Sequence, residues 1–272
     1  MNPLKAYFRQ PELYINLPSQ GKYWPEGSIM IPVNGELPVY SMTAADDMLM
    51  LTPDALINGS ATVNLIQNCI PNIQDAWQTP SVDLEYLLVA IRIASSGANI
   101  QIESVCTSCD QNNDYSIDLR VLLERFDPSA WHQPLILGEL MLTFRPLNFQ
   151  VHNDFANRFF QCKKKLSQTS AIEDTEQREL ISSEIMSEVN KIDLEYLISN
   201  IFMIQTKTVT VTEPEFISEF VLNCDKRTYN QIKNHLDLLK KSTRCDHLEL
   251  ICDNCGHQYS SEFSMDYASF FE

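Results

Sequence analysis

The sequence predicts an α+β protein with a mainly helical body and short β-hairpins, two of which carry paired cysteines. Apolar residues recur at helical spacing through two segments, 41–98 and 120–245. Gly138-Glu139 and Asn34-Gly35 each lie between two short apolar runs. This pattern is typical of β-hairpins. Two C-x-x-C motifs lie far apart in the chain, and a β-like stretch follows each of them. These three observations set the predicted fold class.

Composition restricts the class of protein before any motif is considered. The chain has 272 residues, of which 44% are apolar and 21% charged, as is ordinary for a globular protein. Glycine occurs only 7 times, and neither G-x-G-x-x-G nor G-x-x-x-x-G-K is present, so a glycine-rich phosphate-binding fold is not expected. The net charge is −16, from 20 basic and 36 acidic residues, which disfavours binding to nucleic acid or to anionic lipid.

No stretch of the sequence predicts a secretory leader or a membrane span. The first ten residues lack an apolar core, and the longest clean apolar run, 87–91, is far shorter than the roughly 18 residues that a span needs. We therefore expect a soluble protein that stays where it is made. In such a chain, 8 cysteines indicate metal binding or free thiols before disulfides.

Residues 1–40 are predicted to form an N-terminal arm followed by a hairpin at Asn34-Gly35. Pro32 and Pro38 lack a backbone N–H, so the strands of this hairpin are expected to be irregular or at an edge. Tyrosine and tryptophan are favoured in protein interfaces, so the aromatic residues of the arm are candidates for partner binding. These candidates are Tyr14, Tyr23 and Trp24. An arm that packs on its own domain is an equally good interpretation.

Two helical domains are predicted, one at 41–98 and one at 120–245, the second of which is an insertion. Capping residues and proline at the first helical position mark where their helices begin. The predicted starts are Thr43, Thr52, Ser81, Asp174, Thr212 and Asp225. The helix that begins at Thr52 is expected to end at Gly59, and a helix or helix pair is expected to run from about 174 to 203.

The two C-x-x-C pairs carry the most specific chemistry in the sequence. Apolar residues lead into each pair and a β-like stretch follows it, so each pair is expected at the turn of a hairpin, here called a knuckle. Two facing knuckles supply four thiolates, which suit a tetrahedral structural Zn²⁺. We therefore predict a discontinuous zinc ribbon with one Zn²⁺ per chain, formed by residues 99–119 and 246–272. The predicted ligands are Cys106, Cys109, Cys252 and Cys255.

Other uses of the cysteines fit the sequence less well. A thioredoxin-like redox motif requires a helix that starts at the motif, whereas strands are expected after both pairs. Two disulfides require an oxidising compartment. His247 and His257 lie near the second knuckle and compete as ligands, although a histidine there is more often a surface residue. The remaining cysteines are interpreted as small buried apolar residues: Cys69, Cys162, Cys224 and Cys245.

The predicted ribbon gives little support to catalysis or to nucleic-acid binding. Neither 99–119 nor 247–272 contains a lysine or an arginine, while both contain several acidic residues. Since phosphate contacts supply most of the affinity for nucleic acid, the ribbon is predicted to brace the fold or to bind protein. Four thiolates close the metal shell, and neither G-x-S-x-G nor H-E-x-x-H is present, so the protein is not expected to be an enzyme.

Several stretches, taken in order, resemble a known family. They are LPSQGKYWPEG at 17–27, VYSMTAADD at 39–47, LTPDALING at 51–59, the two knuckles, and the stretch from 209 to 222. Together they resemble the baseplate hub and hub-assembly proteins of T4-like contractile-tailed bacteriophages. The resemblance implies a non-enzymatic part in building the central hub, with other hub and tail proteins as partners. It also implies a location in the host cytoplasm during assembly and in the virion tail baseplate if the protein is retained.

Two other functions remain as alternatives at this point. A zinc-ribbon regulator of phage transcription or replication would use the same cysteines, but the acidic ribbon argues against it. A metal hydrolase would need an open position in the metal shell.

Overall fold

The computed structural model describes residues 4, 8–50, 52, 58–169, 174–263 and 270. The chain forms two compact units, Met1–Pro128 with Lys240–Glu272 and Ser129–Leu239. The described α-helices are α1 (Ala44–Met50), α2 (Ser60–Cys69), α3 (Ser81–Ser96), α4 (Leu119–Leu123), α5 (Phe149–Thr169), α6 (Thr175–Ser199), α7 (Pro214–Asn223) and α8 (Lys226–Lys241). The described strands are β1 (Pro11–Ile15), β2 (Leu37–Tyr40), β3 (Asn99–Val105), β4 (Asn112–Asp118), β5 (Leu135–Leu137), β6 (Leu140–Phe144), β7 (Ile201–Gln205), β8 (Thr210–Val211), β9 (His247–Ile251) and β10 (Gln258–Glu262). Most of the helix predicted from Thr52 lies outside the described residues.

The hairpin predicted at Asn34-Gly35 is wrong. β2 pairs antiparallel with β1, more than 20 residues earlier in the chain. The run before the turn contributes only an isolated bridge, from Ile29 to Ile73, within the described residues. Pro32 explains the difference, because it has no N–H for a ladder and its carbonyl accepts the turn hydrogen bond from Gly35.

The core of the first unit forms around α3. Leu87, Leu88 and Ile91 on this helix are fully buried, as are the two apolar residues of β2, Leu37 and Val39. Burying each such side chain contributes about 1.5–3 kcal/mol to stability. This packing fixes α3 against the arm, and β3 begins shortly after the helix ends.

The predicted capping box at the start of α1 is confirmed. The Thr43 backbone N–H donates to the Asp46 carboxylate over 2.7 Å, and the Asp46 N–H donates back to the Thr43 hydroxyl over 3.3 Å. Asp46 is buried and also accepts a hydrogen bond from the Asn68 side chain, on α2. Burial raises the pKa of Asp46, but hydrogen bonds to its carboxylate from the Thr43 N–H, the Thr43 hydroxyl and the Asn68 side chain, together with the Arg9 charge, lower it overall.

Both cysteine pairs lie at the turns of antiparallel hairpins, as the sequence predicts. β3 pairs with β4 in an unbroken register from Asn99–Asp118 to Val105–Asn112. β9 pairs with β10 from His247–Glu262 to Ile251–Gln258. Part of the β-like stretch expected after the second pair, at 264–266, lies outside the described residues.

The second unit contains a four-stranded antiparallel sheet in the order β5-β6-β7-β8. Its first hairpin turns at Gly138-Glu139, as the sequence predicts. The long helix expected to reach about residue 203 instead ends at Ser199, because the Ile201–Gln205 segment pairs with β6. The Asn200 side chain closes the helix by donating to the Tyr196 carbonyl.

Helices α5 and α6 form an antiparallel hairpin with a continuous apolar seam. The buried members of the seam are Leu147, Phe155, Cys162, Ile185 and Ile192. Phe155 and Cys162 in the middle of α5 are buried, while Leu166 near the helix end is 39% exposed. The interior of a two-helix hairpin is narrow, so its outer turns bury little side-chain surface.

Candidate metal centre

The two knuckles have the same backbone geometry. In the first, the Cys106 N–H donates to the Gln111 carbonyl over 2.9 Å, and the Asp110 N–H donates to the Cys106 carbonyl over 3.0 Å. The second repeats both bonds at the same offsets: Cys252 N–H to the His257 carbonyl and Gly256 N–H to the Cys252 carbonyl, each 2.9 Å. The two C-x-x-C motifs therefore form two copies of one turn.

The two hairpins also contact each other directly through polar side chains. The Ser104 and Ser261 hydroxyls lie 3.0 Å apart. The Tyr115 hydroxyl donates to the Ile251 carbonyl over 3.0 Å and lies 3.2 Å from the Tyr259 hydroxyl. Tyr115 is on β4, after the first cysteine pair, and Tyr259 is on β10, after the second. These contacts orient the knuckles before any metal is considered.

The four predicted cysteine ligands converge on one point. Their Sγ atoms all lie within 4.8 Å of one another. The Cys106–Cys255 and Cys109–Cys252 sulfur pairs, each drawn from both knuckles, are 3.7 Å apart. A tetrahedral ion with bonds of about 2.3 Å to sulfur requires edges of about 3.8 Å. A disulfide bond is only about 2.0 Å long, and all four cysteines are free, so the disulfide interpretation is wrong for this geometry.

The electrostatics of the cluster favour a bound cation. Backbone hydrogen bonds from Cys255 and Asn254 lower the pKa of Cys252 to about 6, because an N–H donor stabilises the thiolate. The pKa of Cys255 rises to about 12 although the His257 backbone favours its thiolate, because neighbouring thiols of the cluster oppose a further negative charge. Four negative sulfurs this close repel one another, and a metal ion removes that penalty.

Neither histidine near the second knuckle belongs to this group of ligand atoms. His247 lies 2.9 Å from the Asp246 carboxylate and is exposed. His257 instead stacks on Tyr259 at 6.4 Å between ring centroids. The ligand set that the structure offers is therefore four sulfurs.

The isolated cysteines lie in other environments. Burial raises the pKa of Cys69 to about 12 and that of Cys245 to about 11. Cys162 is buried in the α5–α6 seam, and Cys224 is partly exposed at the end of α7. These two thiols are kept protonated by burial and lie outside the sulfur cluster, so Cys69 and Cys245 fit the predicted apolar role.

The three aromatic candidates of the arm differ in exposure. Tyr14 on β1 is 60% exposed. Trp24 is buried, and its indole N–H donates to the Asp83 carboxylate over 2.8 Å within the same unit. Tyr23 is half-buried, and its pKa is raised by burial and by the Asp83 charge. Partner binding stays a prediction for the arm, and Tyr14 offers most of the exposed surface.

Sequence reasoning missed four residues that contribute to the first unit. Tyr115 and Tyr259 had a detectable signal, since each is an aromatic residue a few positions after a C-x-x-C pair. Asp110 had a weaker one, since it occupies the position of Gly256 in the other knuckle. Asp83 gave no signal, because an acidic residue in the first turn of a helix is ordinarily explained by the helix dipole.

The two turns carry different residues four positions after their first cysteine, Asp110 in one and Gly256 in the other. Substitutions at these two positions are therefore predicted to have unequal effects on hairpin stability. Both Asp110, at φ 54°, and Gly256, at φ 69°, have left-handed backbone conformations. Gly256→Ala is expected to destabilise the β9–β10 hairpin by about 1 kcal/mol, because a Cβ disfavours this conformation. Asp110→Gly removes such a Cβ and should leave β3–β4 as stable or slightly more so. Backbone hydrogen exchange of the two hairpins measures both, and equal responses would contradict the argument.

The match between this chain and known proteins agrees with the resemblance seen in its sequence. Residues 29–272 match the family described as T4 bacteriophage base plate protein, and the chain belongs to that family. No curated protein and no solved structure gives a significant match. Membership indicates a phage baseplate protein that interacts with other tail proteins. Within the described part of the chain, no helix has both the length and the apolar character needed to cross a membrane.

Proposed function

We propose that this chain is a structural or assembly protein of the central hub of the baseplate, that it acts through protein–protein contacts, and that it is not an enzyme. The observation that carries the proposal is the cluster of four sulfurs, which joins two hairpins whose cysteine pairs are separated by 142 residues. A metal ion bound by all four sulfurs would hold the two hairpins together as one binding surface. It would leave no open coordination position for a reaction. Family membership supplies the baseplate context.

Zn²⁺ is the metal that we assign to the cluster, with one ion per chain. Thiolate ligands in a tetrahedral arrangement are typical of Zn²⁺, and the sulfur spacing fits its bond length. Four protein ligands leave no position for water or substrate, so the ion acts as a structural link. The two knuckles and their hairpins then form the discontinuous zinc ribbon.

The surface of the ribbon supports protein binding over nucleic-acid binding. The described hairpins carry no lysine or arginine, and their acidic side chains are exposed or partly exposed. Val105 and Ile251, each next to the first cysteine of its pair, are 55% and 61% exposed. Apolar side chains inside a polar rim are typical of a protein interface, whereas phosphate requires cations.

The hub assignment is tested by locating the protein during infection. A tagged chain, cross-linked in infected cells and analysed by mass spectrometry, should give cross-links to central hub proteins. The Tyr14→Ala variant should fold and bind metal normally but give fewer of these cross-links, because it removes an exposed aromatic contact. Cross-links that fall only on peripheral baseplate proteins would contradict the hub role. Duplex DNA binding at physiological salt that weakens steeply with added salt would contradict a protein-binding ribbon.

A further inference from the structure

A groove runs along one side of the α5–α6 hairpin, inside the second unit. It encloses about 660 Å³. Its floor is apolar and its two rims are polar. The floor is formed by Cys162, Ile181, Ile185 and Ile192. A groove with an apolar floor and charged rims has the pattern by which a helical hairpin accepts further helices in a bundle.

The two rims carry opposite charges. Arg158 and Lys165, one heptad apart, lie on the α5 rim, while Glu184 and Glu188 lie on the α6 rim. The same asymmetry holds for the whole helices, since α5 has four basic residues and one acidic residue whereas α6 has six acidic and two basic residues. The α5 rim therefore favours acidic partner side chains, and the α6 rim favours basic ones.

The level of each charge along the hairpin follows from one ion-paired arginine. Arg158 contacts Glu195 at 2.6 Å and Glu188 at 4.0 Å, so it lies opposite the midpoint of these two residues on α6. Because the helices are antiparallel, moving seven residues forward on α5 corresponds to moving seven back on α6. Lys165 therefore lies level with Glu184, across the groove. Neither residue forms an ion pair within the part of the chain that is described.

We propose that this groove binds the same groove of a second copy of the chain, forming a two-fold dimer with a four-helix bundle at its centre. The two-fold axis runs parallel to the hairpin. This rotation places α5 of each copy over α6 of the other, with levels preserved. Lys165 of one copy then faces Glu184 of its partner, and the symmetry makes this pair twice.

The charge pattern selects this orientation over the other face-to-face arrangement. A two-fold axis across the hairpin would place α5 over α5 and α6 over α6. Basic rims would then face basic rims, and like charges across an interface are unfavourable. With the axis along the hairpin, every helix has only antiparallel neighbours and opposite rims meet. The groove is self-complementary only in that arrangement.

The experiment measures the self-association of the full-length, metal-loaded chain by analytical ultracentrifugation. The single reversals Lys165→Glu and Glu184→Lys should each raise the dimer dissociation constant by about tenfold or more, because each places two like-charge pairs in the interface. The double variant Lys165→Glu/Glu184→Lys should restore dimerisation to within about threefold, since the pairs re-form with exchanged signs.

Matched controls separate the groove from general effects of charge. Lys163→Glu and Glu179→Lys make the same charge changes on the same two helices, and neither residue lines the groove. Both variants should dimerise like the wild type. A wild-type chain that stays monomeric at every concentration of a dilution series spanning about 100-fold would overturn the proposal. A dimer that ignores the groove substitutions, or a double variant weaker than both single ones, would overturn it as well.

Discussion

Replacing Cys252 with serine is expected to remove the metal and release the β9–β10 hairpin from the β3–β4 hairpin. Cys252 is buried and its sulfur lies 3.7 Å from that of Cys109, so its loss removes one of the four ligands. A structural Zn²⁺ site is worth on the order of 10 kcal/mol, comparable with the stability of a whole domain. An isolated two-stranded hairpin is marginally stable in water, so β9–β10 alone cannot compensate.

Elemental analysis and hydrogen exchange measure this prediction together. The wild type should contain one zinc per chain, and the Cys252→Ser variant should contain none and exchange rapidly throughout β9 and β10. Helices α5 and α6 should keep their protection, because their seam buries apolar side chains without the metal. Chelation of the wild type should reproduce the exchange pattern of the variant.

Cys224→Ser is the matched control for this substitution. Cys224 is a partly exposed free cysteine outside the sulfur cluster, so the variant should retain its zinc and its exchange pattern. Two metal ions per chain would contradict the shared site. A wild type that contains no metal but whose β9–β10 hairpin is protected from hydrogen exchange would also contradict the prediction. It would show that the polar contacts between the hairpins hold them together without a metal ion.

The candidate site was predictable from sequence because its signal is local and chemical. Cysteine type, C-x-x-C spacing and the strands around each pair indicate a thiolate turn without knowledge of the fold. The prediction that the two turns form a single site was based on the similar sequence around the two cysteine pairs, although 142 residues separate the pairs. Helix starts with a polar cap, such as Thr43 and Asp46, were predictable for the same local reason.

Features that depend on distant partners were not predictable in this way. The Asn-Gly turn is a strong local hairpin signal, yet β2 pairs with the remote β1 because Pro32 leaves the nearer run without a regular ladder. The prediction that the helix continues past Ser199 was wrong for a similar reason, since β6 supplies a strand partner and the segment forms β7. The opposed charges of the groove also emerge only when α5 and α6 are aligned.

Asp83 is the clearest case of a residue whose role only the tertiary structure defines. Its side chain is fully buried in the first turn of α3. It accepts hydrogen bonds from the Ser19 N–H over 3.0 Å, from the Ser19 hydroxyl and from the Trp24 indole N–H over 2.8 Å. One carboxylate therefore holds the turn-rich segment that resembles the phage family against the helix that forms the core.

The pKa of Asp83 defines the direction in which pH acts on this anchor. Burial raises the pKa above its ordinary value, although the hydrogen bonds from Ser19 and Trp24 oppose the shift. A carboxyl with a raised folded pKa binds more protons in the folded state than in the unfolded one. Its contribution is therefore most favourable below the unfolded value of about 3.9 and is lost as pH rises through the folded value. Asp83→Asn should remove this pH dependence, because an amide does not titrate.

Asp83→Ala is expected to destabilise the arm segment 17–28 by about 3–5 kcal/mol. The substitution leaves two donors on Ser19 and one on Trp24 without an acceptor, and each buried unpaired donor costs about 1–3 kcal/mol. Hydrogen exchange of this segment, compared at neutral pH, measures the loss. Asp47→Ala is the matched control, because Asp47 is also acidic and in the first turn of a helix but is exposed, so its removal should cost less than about 0.5 kcal/mol. Equal exchange in the two variants would mean that the arm is held by its apolar contacts alone and that the buried carboxylate is not its anchor.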